Sequence, residues 1–278
     1  MTASNACAVI PRYTPRVPWD PAQYERFVRE RELPFEDALA LVGPLRARPR
    51  IIDLGCGTGA LTARLADAYP AARVVGIDTS VEMLERANKL ERPGLRFVKA
   101  AIEALDQVRL DDEPPTWDRV FSHAALQWAP AHERLVPRLF ACVAPGGRLV
   151  VQLPSNHDSV GHRTLAAVAD EPPFRATLAG RVADRPTLAA REYAALLFDA
   201  GGTDLVAYEK VYPHVLPDSD AAAEWLKGTA AIPYVERLLP NDRAAFLERF
   251  RVALHEALPS TPLFFGFKRT LFAASRAV

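Results

Sequence analysis

The segment IIDLGCGTGALTARL, at residues 51–65, has the clearest chemical signature in the chain. An apolar run ends at Asp53 and continues into Gly55, Gly57 and Gly59. Glycine at alternate positions lets the backbone pass close beneath a ligand, because side chains there would collide with it or forbid the required dihedral angles. The G-x-G-x-G spacing differs from the G-x-G-x-x-G that binds a dinucleotide pyrophosphate. It favours a ligand whose aminocarboxylate and sulfonium groups lie along the loop, with Asp53 acting on a cationic group or on loop amides.

A second acidic residue follows the next β-rich run. The run RVVGID ends in Asp78, where a carboxylate can accept hydrogen bonds from two ribose hydroxyls. A glycine loop alone is also typical of an ordinary strand-to-helix turn. Joined to Asp53, to Asp78 and to alternating strands and helices, the loop indicates a nucleoside-containing cofactor instead.

These residues need a scaffold that brings the ends of several strands to one edge, and the chain has the pattern of one. Short β-rich runs alternate with helical stretches: strands are predicted at 50–54, 73–77, 95–98, 118–123 and 147–153, with helices at 60–68, 81–90 and 133–143. This alternation predicts βαβ units and a parallel sheet covered on both faces, with ligands at its carboxyl edge. We expect the core sheet over 45–155.

The flanking segments follow other patterns. Residues 1–18 are proline-rich and predict a flexible N-terminal arm, ahead of one domain over 19–278. A helical region begins at Trp19, and Pro34 is expected to interrupt it before a second helix. After the core sheet we expect helical insertions at about 157–200 and 218–260 that roof the active site. Two late runs, at 201–216 and 262–275, are predicted to be edge strands.

Composition narrows the class of protein. The chain has 278 residues, of which 49% are hydrophobic and 24% charged, and its 34 basic residues balance 34 acidic ones. No excess positive field exists to attract nucleic acid or an anionic membrane, so we expect neither as a partner. The odd, scattered set of Cys7, Cys56 and Cys142 predicts no disulfide framework and no metal site. We expect a cytoplasmic protein, monomeric or weakly homodimeric, that acts on a small molecule.

With these features in place, a family resemblance emerges. DLGCGTG and GIDTS resemble the first two motifs of class I S-adenosylmethionine-dependent methyltransferases. WDPAQYERF, FSHAALQWAPAHERLVPRLF, VAPGGRLVVQLPSNHD and YPHVLPDSDAAAEWLKGTA resemble, in order and spacing, the trans-aconitate methyltransferase branch, and together these segments cover about 19–275. The resemblance implies a Rossmann-like α/β fold, with a seven-stranded, mostly parallel sheet whose last strand is antiparallel. It also implies S-adenosylmethionine as cofactor and methyl transfer to a carboxylate of a small organic acid.

The resemblance assigns roles to residues. The glycines of the loop would hold the methionine part of the cofactor, Asp78 the ribose, and Tyr24 would close the pocket. The cofactor set it implies is Tyr24, Asp53, Gly55, Gly57, Gly59, Asp78, Thr79, Met83, Ala101, Ile102 and Ser122. The chain departs from the family at Ala101, where an acid near the adenine amine is usual, although Ile102 still offers an apolar face. It departs again at Ile232, which precedes Pro233 where the family often has an arginine.

Substrate residues are less sharply indicated. Methyl transfer is an in-line displacement that needs alignment and exclusion of water, and a carboxylate acceptor needs no base because it is already ionised. The predicted positioning residues are His123 and Trp128, and the predicted substrate contacts are Gln127, Asn156, His157 and Lys227. The alternative for His123 is a turn cap, and for Trp128 a place in the core. Four cations could also meet a carboxylate, because a guanidinium offers bidentate pairing and lysine a mobile charge, but each is more readily interpreted as a solvated surface charge: Arg163, Arg185, Lys227 and Arg269.

Other functions stay open at this point. Methylation of a less polar metabolite at oxygen or carbon is one, because Ile232 and the apolar residues from 219 to 265 suit it. A homologue that binds the cofactor without methylating is another, because of the missing acid at Ala101. A nicotinamide-dependent oxidoreductase fits the sheet, but the glycine spacing disfavours it.

Overall fold

The computed structural model of the protein describes residues 29–109, 114–178 and 187–278. Within these ranges seven strands form one sheet in the order β3-β2-β1-β4-β5-β7-β6. The strands are β1 (Arg50–Leu54), β2 (Arg73–Asp78), β3 (Leu95–Lys99), β4 (Trp117–His123), β5 (Val143–Pro154), β6 (Gly202–Leu216) and β7 (Leu263–Arg276). The predicted arm at 1–18, Tyr24 and Arg185 lie outside the described residues, and the division into an arm and one domain stays a prediction.

Ten helices accompany the strands in the described part of the chain. They are α1 (Arg29–Ala40), α2 (Ala60–Ala68), α3 (Val81–Ala87), α4 (His132–Ala141), α5 (Val160–Ala169), α6 (Arg175–Leu178), α7 (Ala190–Asp199), α8 (Ser219–Lys227), α9 (Ile232–Val235) and α10 (Pro240–Ala257). Short 3-10 turns cover Asn88–Leu90, Ile102–Gln107 and Leu126–Trp128. Among these helices, none is long and apolar enough to cross a membrane.

The strand pairing confirms the predicted sheet. β1 pairs in parallel with β2 and β4, and the parallel set continues to β3 and β5. β7 is antiparallel to both β5 and β6. The prediction that both late strands are edge strands was wrong for β7, which lies between β5 and β6. Residues Leu271 to Ala274 of β7 are fully buried, which suits an interior strand, whereas β6 carries charged and exposed residues that protect an edge.

Helices cover both faces of the sheet because its strands are apolar on both sides. In β1, Ile51 packs on the face of α1, α2 and α3, and Ile52 packs on the opposite face with α4 and α7. Every residue of β1 is buried, as expected for a central parallel strand between two helical layers. The ends of β1 and its neighbours therefore meet at one edge of the sheet.

The first described helix differs from its prediction at Pro34. α1 runs without a break from Arg29 to Ala40, with Pro34 inside it. A proline removes one backbone donor from a helix, but the helix also buries Phe35 and Ala38 against the sheet. This packing holds the second half of α1 in place, so the expected interruption does not occur.

The antiparallel pair of β6 and β7 extends past the carboxyl edge of the sheet. β5 ends at Pro154, opposite Arg269, but β6 and β7 remain paired as far as Leu216 and Leu263. The apolar residues of this extension pack with α5, α8 and α10 in a second core. A helical layer therefore lies beyond the strand ends, where the roof was predicted.

Candidate active site

The glycine loop after β1 has two different physical reasons for its glycines. Gly55, Gly57 and Gly59 have φ of 73°, 55° and 77°, a region that side chains disfavour. A Cβ on Gly55 would lie 2.3 Å from the Cβ of Ala125, so close packing also excludes a side chain there. A Cβ on Gly57 would meet nothing within 4 Å. The backbone of Gly57 therefore faces open space that a ligand can approach.

Hydrogen bonds hold this loop against β2. The amides of Gly55 and Cys56 both donate to the carbonyl of Ile77, at 2.8 and 2.9 Å. The amide of Gly57 donates to Oδ2 of Asp78 at 2.9 Å, and the amide of Ser80 donates to Oδ1 of the same carboxylate at 2.9 Å. Each carboxylate oxygen accepts more than one hydrogen bond. Asp78 can thus order the loop and still accept bonds from ribose hydroxyls.

The carboxylates of the site lie in a shielded environment. Asp53 is buried beneath the loop and its Oδ2 accepts a hydrogen bond from Thr62 Oγ1 at 2.6 Å. Burial raises the pKa of Asp53 to about 7; the Thr62 bond opposes this rise and repulsion from Asp78 adds to it. Burial also raises the pKa of Asp78, against the lowering effect of the amides that bind it. A positively charged ligand above the loop would favour the ionised form of Asp53.

The residues predicted to surround the adenine and ribose lie near the ends of β2 and β3. Ile102 is half-buried, and its Cδ1 would be 3.7 Å from a Cβ on Gly55. Met83 is buried and its amide donates to Ser80 Oγ at 3.2 Å. Thr79 is exposed next to Asp78, and Ala101 directly precedes the turn Ile102–Gln107. Apolar and acidic groups thus occur together near the ends of β2 and β3, a combination that suits a purine nucleoside.

Ser122, a predicted cofactor contact, makes a hydrogen bond within the protein. Its side chain is fully buried, and its Oγ donates to the carbonyl of Leu54 at 3.1 Å. This bond ties the end of β4 to the end of β1. Ser122 therefore fixes the distance between the glycine loop and the segment that follows β4.

That segment rests on a polar network that the sequence did not reveal. His132 bonds through Nε2 to the carbonyl of Leu126 at 2.8 Å and through Nδ1 to Tyr193 Oη at 2.6 Å. The amide of Leu188 donates to the same phenol oxygen at 3.0 Å. Burial lowers the pKa of His132, so the neutral ring donates to Leu126 and accepts from Tyr193. The network supports the turn Leu126–Trp128 from below.

Three predicted substrate residues lie close to this turn or at the end of β4. His123 is buried, and its ring meets that of Phe35 edge to face at 5.7 Å. Gln127 is half-buried and its Nε2 donates to the carbonyl of Ala124 at 2.6 Å. Trp128 is half-buried in the same turn. The structure thus brings His123, Gln127 and Trp128 to the carboxyl edge beside the glycine loop.

The remaining predicted substrate residues have other surroundings. The side-chain amide of Asn156 is engaged on both sides by the backbone of Lys268, at 3.0 and 2.7 Å, and so extends the β5–β7 pairing. His157 bonds to Thr187 Oγ1. Lys227 is half-exposed and 3.4 Å from Glu224 on the same helix, the surroundings of a surface charge.

Two buried polar residues at the carboxyl edge differ from the sequence interpretation, which preferred a surface charge to a carboxylate contact for Arg269 and did not single out Gln152. Arg269 is only 5% exposed, so its expected place as a solvated surface charge was wrong. Gln152 is 0% exposed, on the neighbouring strand β5. A glutamine inside the apolar run GRLVVQL was the available signal, since the other residues after Arg148 in that run suit a core strand.

The donor set fits S-adenosylmethionine. Asp78 suits the ribose hydroxyls, the open backbone at Gly57 suits a close approach, and Ile102 and Met83 suit an apolar ring. Among the described residues no cluster could hold a metal ion.

Comparisons with known proteins agree with this geometry. A family model described as "Methyltransferase domain" matches residues 51–147. A trans-aconitate 2-methyltransferase of Deinococcus radiodurans is 41% identical, over 93% of this chain and 98% of that protein. Another protein of that name, from Methylobacterium nodulans, is 43% identical over 87% of this chain and 90% of its own length.

Solved structures share the fold. The YcgJ protein of Bacillus subtilis superposes with a TM-score of 0.58 at 14% identity, over 89% of this chain and 99% of that one. A putative sarcosine dimethylglycine methyltransferase from Galdieria sulphuraria gives a TM-score of 0.53 at 14% identity, over 94% and 92% of the two chains. At such low identity these structures show the architecture alone.

Proposed function

The chain belongs to the trans-aconitate 2-methyltransferase family, and from that premise we propose that it methylates a carboxylate of a small, aconitate-like acid. S-adenosylmethionine is its methyl donor. The products are the methyl ester of the acid and the demethylated cofactor. One observation carries the proposal: the identity of 41% extends over 98% of the relative. The aligned region therefore includes the β6–β7 strand pair and the helical layer, as well as the cofactor half at 51–147.

The chain's own residues would hold the cofactor at the ends of β1, β2 and β3. Asp78 would accept hydrogen bonds from the ribose hydroxyls while it keeps the amide of Gly57 in place. Ile102 and Met83 would contact the adenine ring. The adenine amine would have no side-chain acceptor at position 101, because Ala101 has no polar group. When bound, the cofactor supplies an electrophilic methyl group on a sulfonium.

The protein has a limited task in the transfer itself. A carboxylate is ionised at neutral pH, so no general base is required. The site must instead hold the acceptor oxygen about 3–3.5 Å from the methyl carbon and keep water away. His123 and the turn at Leu126–Trp128, held from below by His132, would position the acceptor. The helical layer on the β6–β7 extension would exclude water from above.

The comparisons favour this function over the alternatives. The relatives named trans-aconitate 2-methyltransferase support an acid as the methyl acceptor over a less polar metabolite. They also support a methylating enzyme over a protein that only binds the cofactor. We further propose that the protein acts in the cytoplasm, as a monomer or weak homodimer, without nucleic acid or membrane as partner, since its charges balance.

A substrate panel tests the proposal. The purified protein is incubated with S-adenosylmethionine carrying a radiolabelled methyl group and with trans-aconitate, related di- and tricarboxylates, phenols or activated carbon acids. We expect label in the carboxylates, released by mild base as methyl esters are. Asp78→Asn serves as the control with weakened cofactor binding, and at a low concentration of S-adenosylmethionine it should transfer less label than the wild type. Base-stable label in a phenol or carbon acid, or no transfer to any acid, would overturn the proposal.

A further inference from the structure

Three polar side chains lie on neighbouring strands at the carboxyl edge, on the sheet face that α1 covers. His123 of β4 is in register with Gln152 of β5, and Gln152 faces Leu271 of β7. Arg269 lies two residues from Leu271 and therefore on the same face, opposite the last residue of β5, Pro154. Diagonal neighbours of this kind are about 7–8 Å apart, within reach of long side chains. Gln152 and Arg269 are called the Gln152–Arg269 pair below.

Gln152 has the features of a residue kept for a ligand. Its side chain is 0% exposed, and neither its Oε1 nor its Nε2 has a hydrogen-bond partner among the described residues. A buried amide without partners destabilises the folded state, and an apolar residue of the same size would not carry that cost. Core packing therefore does not explain why a glutamine stands among the apolar residues that follow Arg148 in β5.

Arg269 brings a positive charge to the same place. It is 5% exposed, and its guanidinium carbon lies 4.5 Å from the centre of the Phe267 ring, which fixes the direction of the side chain. Guanidinium is the side-chain group best suited to bidentate contact with a carboxylate.

The helix α1 forms a cover over the Gln152–Arg269 pair. Near the middle of the helix, Phe35 contacts the ring of His123 on β4. Two residues farther along, Asp37 binds both Lys210 and Tyr212 on β6. Since β5 and β7 lie between β4 and β6 in the sheet, α1 lies above the strands that carry Gln152 and Arg269. The pair is therefore enclosed between sheet and helix.

The position of the pair relative to the cofactor is set by strand order. The proposed cofactor residues follow β1, β2 and β3, whereas the Gln152–Arg269 pair lies on β5 and β7. β4 lies between the two groups. An in-line transfer needs the acceptor on the far side of the methyl group from the rest of the cofactor. An acid held by β5 and β7 would present its reacting carboxylate near His123, at the end of β4.

We propose that Gln152 and Arg269 bind a non-reacting carboxylate of the acid substrate. Arg269 donates two parallel hydrogen bonds to its oxygens, and the Nε2 of Gln152 donates a third. The remaining carboxylate is thereby directed toward the end of β4 and the methyl donor. The pair selects acids with more than one carboxylate. This assignment rests on the proposed function and identifies the residues that confer its substrate class.

The test compares two substitutions with the wild type in steady-state kinetics. Arg269→Gln removes the charge, and Gln152→Met removes the amide at nearly constant volume. We expect the KM for the tricarboxylate to rise about tenfold to a hundredfold in each variant, with the affinity for S-adenosylmethionine unchanged. Arg269→Lys should recover part of the loss. Arg251→Gln, which removes an exposed ion pair with Asp220, is the matched control and should keep the wild-type KM.

Two further readouts separate a binding role from a structural one. A substrate that lacks the non-reacting carboxylate should be used equally poorly by the wild type and by Arg269→Gln. Gln152→Met should melt at the same or a higher temperature than the wild type, because it removes a buried unsatisfied amide. If Arg269→Gln folds poorly, Gln152→Met alone decides. If the wild type methylates acids and folded Gln152→Met keeps the wild-type KM, the binding role of the Gln152–Arg269 pair is overturned and the proposed function stands. If the wild type methylates no acid, the proposed function itself is overturned.

Discussion

The backbone amide of Gly57 donates a hydrogen bond to Oδ2 of Asp78 at 2.9 Å, so the two sequence motifs of the site are in direct contact. The carboxylate thereby holds the loop against β2 at the one glycine whose Cβ position is open. Loop geometry and ribose recognition depend on the same side chain. This coupling leads to separate expectations for the two residues.

Asp78→Asn should weaken cofactor binding more than the loss of one ribose contact suggests. The amide nitrogen of asparagine cannot accept a bond from Gly57 or Ser80, so one of these donors loses its partner. We expect the Kd for S-adenosylmethionine, measured by calorimetry, to rise about tenfold to a hundredfold. Asp67→Asn, which alters an exposed ion pair with Arg92, is the control. Equal affinities in Asp78→Asn and the wild type would refute this role.

Gly55→Ala and Gly57→Ala should fail in different ways. A methyl group on Gly55 collides with Ala125 at 2.3 Å, so Gly55→Ala should lower the melting temperature strongly. A methyl group on Gly57 has free space and bears only the strain of φ 55°, about 1–2 kcal/mol. Gly57→Ala should therefore fold but bind S-adenosylmethionine poorly. Tight cofactor binding by folded Gly57→Ala would show that the ligand does not approach this residue.

The buried Asp53 should make stability depend on pH. Its pKa is raised from 3.8 to about 7, so between these values the folded protein binds more protons than the unfolded chain. This contribution to stability is full below about pH 4 and is lost as pH rises through 7, with a slope of up to about 1.4 kcal/mol per pH unit. Asp53→Asn should remove this pH dependence because asparagine does not titrate. Its side-chain oxygen can still accept the hydrogen bond from Thr62. Urea unfolding from pH 4 to 8 measures the difference, and parallel stability curves for the two proteins would contradict the expectation.

Tyr193→Phe should weaken the support of the turn Leu126–Trp128. Without the phenol, His132 Nδ1 and the amide of Leu188 lose their shared partner inside the protein. We expect the free energy of unfolding to fall by about 1–3 kcal/mol, and kcat to fall while the Kd for S-adenosylmethionine stays the same. Urea unfolding and steady-state kinetics measure both. A variant with wild-type stability and kcat would show that the network does not position the turn.

Local patterns in the sequence were sufficient for most of the scaffold. The five core strands, the glycine loop and Asp78 could be predicted because apolar runs, glycine spacing and strand ends are encoded by neighbouring residues. The placement of β7 inside the sheet, and hence the burial of Arg269, depends on a partner strand far away in the chain. The pairing of His132 with Tyr193, 61 residues apart, is of the same kind. The hydrophobic periodicity of a single segment cannot predict contacts between residues that are far apart in the sequence.

The outcome at Pro34 has a similar cause. Helix propensity alone predicts a break there, but burial of Phe35 and Ala38 on the sheet stabilises the continuous helix α1. Burial of Arg269 also reversed an interpretation, because a lone arginine is usually solvated. Tertiary packing therefore decides the substrate half of the site, whereas local sequence decides the cofactor half.

The most direct test of the central claim is to identify the atom that receives the methyl group. S-adenosylmethionine with a ¹³C-labelled methyl group is incubated with the protein and trans-aconitate, and the product is followed by NMR. We expect one ¹³C signal at the shift of a methyl ester, which alkali converts into that of free methanol. A labelled methyl on carbon, or label that stays on the donor while the protein is folded and binds it, would contradict methylation of a carboxylate.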